Sequence, residues 1–239
     1  MKAAPLVVIR PEPGNATTCA AARDLGLEVY GEPLFRIVAT AWVPPPAAEF
    51  DAVLIGSANA LRHGGGALAR YAALPAYVVG NTSAQASRDA GFTVAATGSG
   101  GLQDLLAHLA LDGRQRVLRF AGAEHVALDA APGTAITTVM VYEAEPLQLT
   151  PACAARLAHQ TIVMLHSAAA ACHFAVECER SRIARGLISL VCLGPRIAEA
   201  AGDGWASVAS APRPDDTALL ALAARMCQTT HFGDTDANN

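Results

Sequence analysis

Short apolar runs rich in β-branched residues alternate along the chain with longer alanine and leucine segments, and Gly, Pro, Ser or Asn marks most of the changes. That alternation is the signature of βαβ units feeding a parallel sheet. It predicts strands at Leu6–Ile9, Leu27–Tyr30, Ala52–Ile55, Ala76–Val79, Val94–Ala96, Arg116–Phe120, Ile136–Tyr142, Thr161–Leu165, Leu187–Leu193 and Ala206–Ala209. Val43-Pro44-Pro45-Pro46-Ala47 is too stiff for a central strand and reads as a linker. Leu157–Val176 lacks Asp, Glu, Lys and Arg and is about as long as a membrane span. Its three histidines, with Gln160, Thr161 and Ser167, make a strand followed by a helix the better reading.

The pattern repeats. Ile55-Gly56-Ser57-Ala58-Asn59-Ala60 returns as Leu165-His166-Ser167-Ala168-Ala169-Ala170, and Val79-Gly80-Asn81-Thr82-Ser83 as Leu193-Gly194-Pro195-Arg196-Ile197. Each copy runs on through a glycine-led strand into a leucine-rich helix. The remaining pieces pair as well: Leu6–Arg10 through Tyr30 resembles Val117–Phe120 through Tyr142. In the middle of the chain the serine half comes first; at the ends it comes last. Two similar α/β domains result, one inserted in the other. Residues 1–36 plus 160–228 form the discontinuous domain, 50–143 the inserted one, 37–49 and 144–159 the linkers, and 229–239 a polar tail.

Composition narrows the partners. Hydrophobic residues make up 52% of the 239 and charged residues 16%, below the roughly 25% of ordinary domains, so a packed core is expected rather than disorder. A formal net charge of −4 with no basic run removes the usual basis for nucleic-acid binding. The six cysteines form no C-x-x-C pair and read as reduced thiols, and the apolar run Pro5–Ile9 is too short for a signal segment, so a cytoplasmic protein without membrane partners is expected.

Candidate chemistry sits at the strand ends. A serine that closes a strand and opens a helix stands where backbone N–H groups are unpaired and the helix dipole is positive, a natural anion site. Ser57, Ser83 and Ser167, with the turns at Gly80-Asn81, Gly122 and Gly194, are expected at the carboxyl edges of two sheets, where ligands of open α/β folds bind. Taken singly, each is equally well an ordinary helix cap. Arg10 follows the first strand and suits a carboxylate clamp, with a surface ion pair as the alternative. Tyr142 offers a neutral phenol donor at the end of its strand, or simply a half-buried ring. Nucleotide fingerprints and a nucleophile elbow are absent. His159, His166 and His173 span a strand and a helix and cannot share one helical face as metal ligands.

Together, Val8-Ile9-Arg10-Pro11, Pro33-Leu34-Phe35-Arg36-Ile37, Phe50 through Ala60, Val78 through Ala84, Val141-Tyr142 and Cys192-Leu193-Gly194-Pro195 resemble the uroporphyrinogen-III synthase family over nearly the whole chain. The resemblance implies two flavodoxin-like α/β domains joined by a two-stranded ladder, with the active site in the cleft between them. It implies a lyase without metal or cofactor, in tetrapyrrole (heme) biosynthesis. Hydroxymethylbilane, a linear tetrapyrrole supplied by hydroxymethylbilane synthase, loses its hydroxyl to leave an azafulvenium. The substituted carbon of ring D attacks to give a spiro intermediate, and fragmentation and reclosure yield uroporphyrinogen III with ring D inverted. A monomer is expected.

By the same resemblance Tyr142 assists departure of the hydroxyl. The substrate-binding set is Arg10, Ser57, Ala58, Asn59, Asn81, Ser83, Gly122, Ser167, Ala168, Gly194, Arg196 and Ile197. The chain departs from the family's pattern at several points. Gly56 and His166 stand where threonine is usual, Ala168 where proline often follows, and Arg196-Ile197 replaces a threonine-rich turn, leaving Arg196 as a carboxylate donor. The alternative function is a non-catalytic member of the same fold that binds a small anionic ligand or has a regulatory role. A two-lobed solute receptor lacks its export signal, and a receiver-like signalling domain lacks the acidic cluster that holds Mg²⁺.

Overall fold

A computed structural model describes residues 4–229; the other residues of the predicted polar tail, 230–239, lie outside them. The chain divides into two compact units, one made of the chain up to Arg36 and from Pro146 onward, the other of Ile37–Glu145.

The first unit contains β1 (Leu6–Val8), α1 (Gly14–Asp24) and β2 (Val29–Gly31). At its edge begins β3 (Phe35–Ala39), which continues into the second unit. The second unit adds β4 (Ala52–Ile55), α2 (Ala58–His63), β5 (Ala76–Val79), α3 (Asn81–Asp89), β6 (Val94–Gly98), α4 (Leu102–Leu111), β7 (Arg116–Gly122) and β8 (Ala135–Pro146). The chain then returns to the first unit with α5 (Pro151–Leu157), β9 (Thr161–Leu165), α6 (Ala168–Arg180), β10 (Ile188–Cys192), α7 (Pro195–Ala201), β11 (Ser207–Ser210) and α8 (Asp216–Thr229). All ten predicted strands are present. No helix among the described residues is long and apolar enough to cross a membrane.

The first sheet has the order β11-β10-β9-β1-β2, every pair parallel. Its central strands are buried on both faces, which is why they read as continuous apolar runs. Val7, Val163, Leu165, Leu190 and Cys192 face one layer with Cys153 and Leu157 of α5 and Ala171, Phe174 and Cys178 of α6. Leu6, Val8, Ile162, Met164 and Val191 face the other with Cys19 and Ala22 of α1 and Leu219, Ala223 and Cys227 of α8. Each fully buried valine, leucine, isoleucine, methionine or phenylalanine among them is worth about 1.5–3 kcal/mol.

The second sheet has the order β3-β8-β7-β4-β5-β6. Leaving β3 aside, it matches the first strand for strand: β4 takes the place of β9, β5 and β6 those of β10 and β11, and β7 and β8 those of β1 and β2. The repeat in the sequence is therefore a repeat of spatial arrangement: the first sheet has the flavodoxin-like order 2-1-3-4-5, and the second, in its own chain order 3-2-1-4-5, is a circular permutation of it. Val53, Ile55, Val78, Leu118 and Phe120 pack with Ala60 of α2 and Tyr71 on one face, and Ala52, Leu54, Tyr77 and Val117 pack with Leu105 and Leu109 of α4 on the other.

The linkers contain a two-stranded ladder, as the family resemblance implied, and a helix that was not expected. Within 37–49, β3 pairs with β8: Leu147 N–H donates to Leu34 O at one end and Thr40 N–H to Val141 O at the other. One number rises as the other falls, so the pair is antiparallel and makes the second sheet mixed. Residues 144–159 hold the end of β8 and then α5, started by Thr150, whose hydroxyl accepts the Cys153 N–H at 3.1 Å, and by Pro151 in the first turn. Just before α5, the buried carboxylate of Glu177 on α6 accepts the Leu149 N–H at 2.7 Å and two bonds from Arg180 at 2.7 and 2.8 Å. Those bonds hold its carboxyl below the usual range against the opposing effect of burial, and they fasten the segment to α6.

Candidate functional site

In the first unit, Arg10 and His166 follow the adjacent strands β1 and β9 at the carboxyl edge. The helices after these strands, α1 and α6, cover opposite faces of the sheet, so this is the topological switch point where open α/β sheets bind ligands. The Arg10 guanidinium lies across Gly14, where an added Cβ would stand 2.5 Å from Nε. Its Nη1 donates to Asp216 Oδ2 at 2.6 Å and lies 3.4 Å from Thr18 Oγ1. The His166 side chain is 8% exposed, its Nε2 stands 3.6 Å from Asp216 Oδ1, and among the described residues neither ring nitrogen has a hydrogen-bond partner.

Burial, and then Arg10, push His166 down to about 4 against the pull of Asp216. The imidazole is therefore neutral near pH 7, whereas in the unfolded chain it titrates near 6.5. Between these values the unfolded state binds the extra proton. Stability from this site is complete above about pH 6.5 and falls as the pH drops toward 4, by at most about 1.4 kcal/mol per unit. Denaturant midpoints of the wild type and His166→Gln, measured from pH 7 to 4.5, are expected to show a shallower loss in the variant; parallel curves would refute the assignment.

Along the same edge, Ser167 caps α6, its hydroxyl accepting the Ala170 N–H at 3.2 Å, and Ala168 is exposed at the first helical position. Gly194 precedes α7 in extended conformation, and Arg196 is exposed. The Ile197 side chain packs against the core instead.

At the carboxyl edge of the second sheet, Ser57 caps α2 by accepting the Asn59 N–H at 3.2 Å, while Ala58 is buried and the Asn59 side chain accepts from Arg62 at 3.1 Å. The departure at Gly56 has a packing reason: a Cβ there would stand 2.8 Å from Leu102 of α4. Gly80, at φ +78°, turns the chain into α3, where Asn81 is exposed. Ser83, at the third position of α3, is buried along with Ala84 and Ser87.

Tyr142 is half-buried on β8, which continues four residues beyond it. Its ring covers Gly122, where a Cβ would come within 2.7 Å, and lies 6.5 Å from His63. Among the described residues its hydroxyl has no hydrogen-bond partner. Arg119 of β7 is 5% exposed, donates to Val126 O at 2.8 Å and leaves Nε unpaired. Burial lowers its pKa, and interaction with Tyr142 opposes the shift.

The first edge thus carries Arg10, Ser167, Ala168, Gly194 and Arg196. The second carries Ser57, Asn59, Asn81, Gly122 and Tyr142. Sequence reasoning missed Asp216, His63 and Arg119. Arg119 had a signal, a charge inside the apolar run Val117–Phe120. Among the described residues no group of His, Cys, Asp and Glu could hold a metal ion, and all six cysteines are free.

The family of uroporphyrinogen-III synthase HemD matches residues 16–221. The chain belongs to the uroporphyrinogen-III synthase family. The comparison with curated protein sequences returned no match. Among solved structures, the chain is similar to uroporphyrinogen-III synthetase of Helicobacter pylori, with 17% identity and a TM-score of 0.61 over 95% of this chain and 100% of that one. It is also similar to a mutant uroporphyrinogen III synthase of Thermus thermophilus, with 16% identity and a TM-score of 0.51 over the same shares. These structural likenesses concern the fold.

Proposed function

We propose that this chain is a cyclising hydro-lyase that converts hydroxymethylbilane to uroporphyrinogen III with inversion of ring D. The observation that carries the reading is the family match over residues 16–221. The chemistry asks mainly for orientation, because the bilane closes unaided to the other isomer and the enzyme must hold a flexible chain in one conformation. A strong nucleophile is not required. Neutral donors at helix starts, with Arg10 and Arg196, suit a substrate of eight carboxylates on a protein of net charge −4. The Tyr142 phenol, half-buried and without a hydrogen-bond partner among the described residues, donates a proton as the hydroxyl leaves as water. This reading places the enzyme in the cytoplasm, downstream of a hydroxymethylbilane synthase.

The test supplies freshly made hydroxymethylbilane, oxidises the products and separates the porphyrin isomers. Type III product in excess, faster than spontaneous closure, is expected. Type I alone at the spontaneous rate would overturn the reading in favour of a non-catalytic binding protein.

A further inference from the structure

We propose that Arg10 and His166 form a seat for one side-chain carboxylate of the substrate, and that Asp216 fills this seat until the substrate displaces it. The inference rests on the function proposed above. A carboxylate offers two oxygens, and Asp216 uses them unequally. Oδ2 takes a 2.6 Å bond from Arg10, while Oδ1 stops 3.6 Å short of His166 Nε2. That separation is beyond a hydrogen bond, so both nitrogens of a buried ring remain unpaired, an arrangement that costs free energy. A neutral imidazole carries one N–H, so His166 can donate without first gaining a proton. A free carboxylate, not tied to the start of α8, can satisfy both donors at once.

Asp216 is suited to leaving. Its side chain is 55% exposed. It is not the cap of its helix, because Asp215 Oδ1 accepts the Ala218 N–H at 2.7 Å. Turned toward water, it still lies in the first turn of α8, where the helix dipole favours a negative charge. Arg10 stays in place, confined over Gly14 and near Thr18. Arg10 and Asp216 are the charged groups that act on His166, so the seat is complete within one unit. While Asp216 holds Arg10, stray anions meet a neutralised arginine; a polycarboxylate that docks elsewhere on the protein can compete for it.

The experiment compares the full-length wild type with Asp216→Asn, Asp216→Ser, Arg10→Gln and the Asp216→Asn/Arg10→Gln double variant. With hydroxymethylbilane, both Asp216 variants are expected to lower KM roughly three- to tenfold with kcat retained, on the scale of one charge-assisted contact. Arg10→Gln raises KM, and in that background Asp216→Asn has no effect. A simple tether for α8 would lower the melting temperature of the Asp216 variants and leave KM unmoved, which overturns the proposal. A second readout does not depend on turnover: His166 ring signals, assigned by NMR with His166→Gln, are followed during titration with sodium propionate. Perturbation at lower propionate in Asp216→Asn than in the wild type supports the seat. If type III product forms but neither KM nor the propionate midpoint shifts, the seat is wrong. If only type I product forms while the midpoint shifts, the seat stands and the activity reading fails.

Discussion

Tyr142→Phe is expected to slow type III formation about a hundredfold, the lower end of what a positioned proton donor contributes, while the protein stays folded. The substitution removes only the hydroxyl. Among the described residues that hydroxyl bonds to nothing, so no buried partner is orphaned and the ring keeps its place over Gly122. Gly122→Ala gives an independent route to the same outcome. Its new methyl would stand 2.7 Å from the tyrosine ring, and the ring, as the freer partner, must give way and move the hydroxyl. Both variants are assayed by isomer-resolved product analysis, with circular dichroism as the check on folding. Unchanged turnover in Tyr142→Phe would remove the phenol from the mechanism. Slow turnover in Gly122→Ala alone would point to the turn itself.

The largest stability effect is expected at Phe174→Ala. Phe174 of α6 is fully buried in the first unit's core, and its ring stacks on Trp205 with centroids 5.5 Å apart and planes 14° from parallel. Truncation removes the ring's burial and leaves a cavity that its rigid neighbours cannot fill, at a cost of about 3–5 kcal/mol. Trp205 makes the measurement direct. Its fluorescence reports denaturant unfolding of the first unit, and replacing the other tryptophan, Trp42, by phenylalanine removes the background. A loss below about 1 kcal/mol would mean that α6 does not pack on the sheet as described.

Much of the fold was legible because its signals are local. Thr161–Leu165, Ala52–Ile55 and Ala76–Val79 were predicted to the residue: each is a compact apolar run buried on both faces, and punctuation bounds it. Ser57 and Ser167 cap their helices with 3.2 Å bonds, as a serine at a helix start suggested. α5 was missed because seven alanine-rich residues carry little periodicity, and its start depends on the Thr150 cap and the Leu149–Glu177 bond. The apolar pattern did not mark β3, whose ladder only the family resemblance implied, because its partner β8 lies some hundred residues away, as the Thr40 side chain bonded to Met140 O illustrates.

By itself, the sequence determined the class of fold, the internal repeat, the strand ends that carry the donors, and the family. Those properties follow from periodicity, turn residues and ordered motifs, all decided within a few positions. Only the tertiary structure decided which charges meet. Arg10 and Asp216 are 206 positions apart, and no local pattern marks them as partners. The parallel pairing of β1 with β9 brings Arg10 beside His166, and the packing of α8 against that sheet carries Asp216 to both. Burial then does what composition cannot show. It keeps His166 neutral and leaves Arg119 Nε without a hydrogen-bond partner among the described residues.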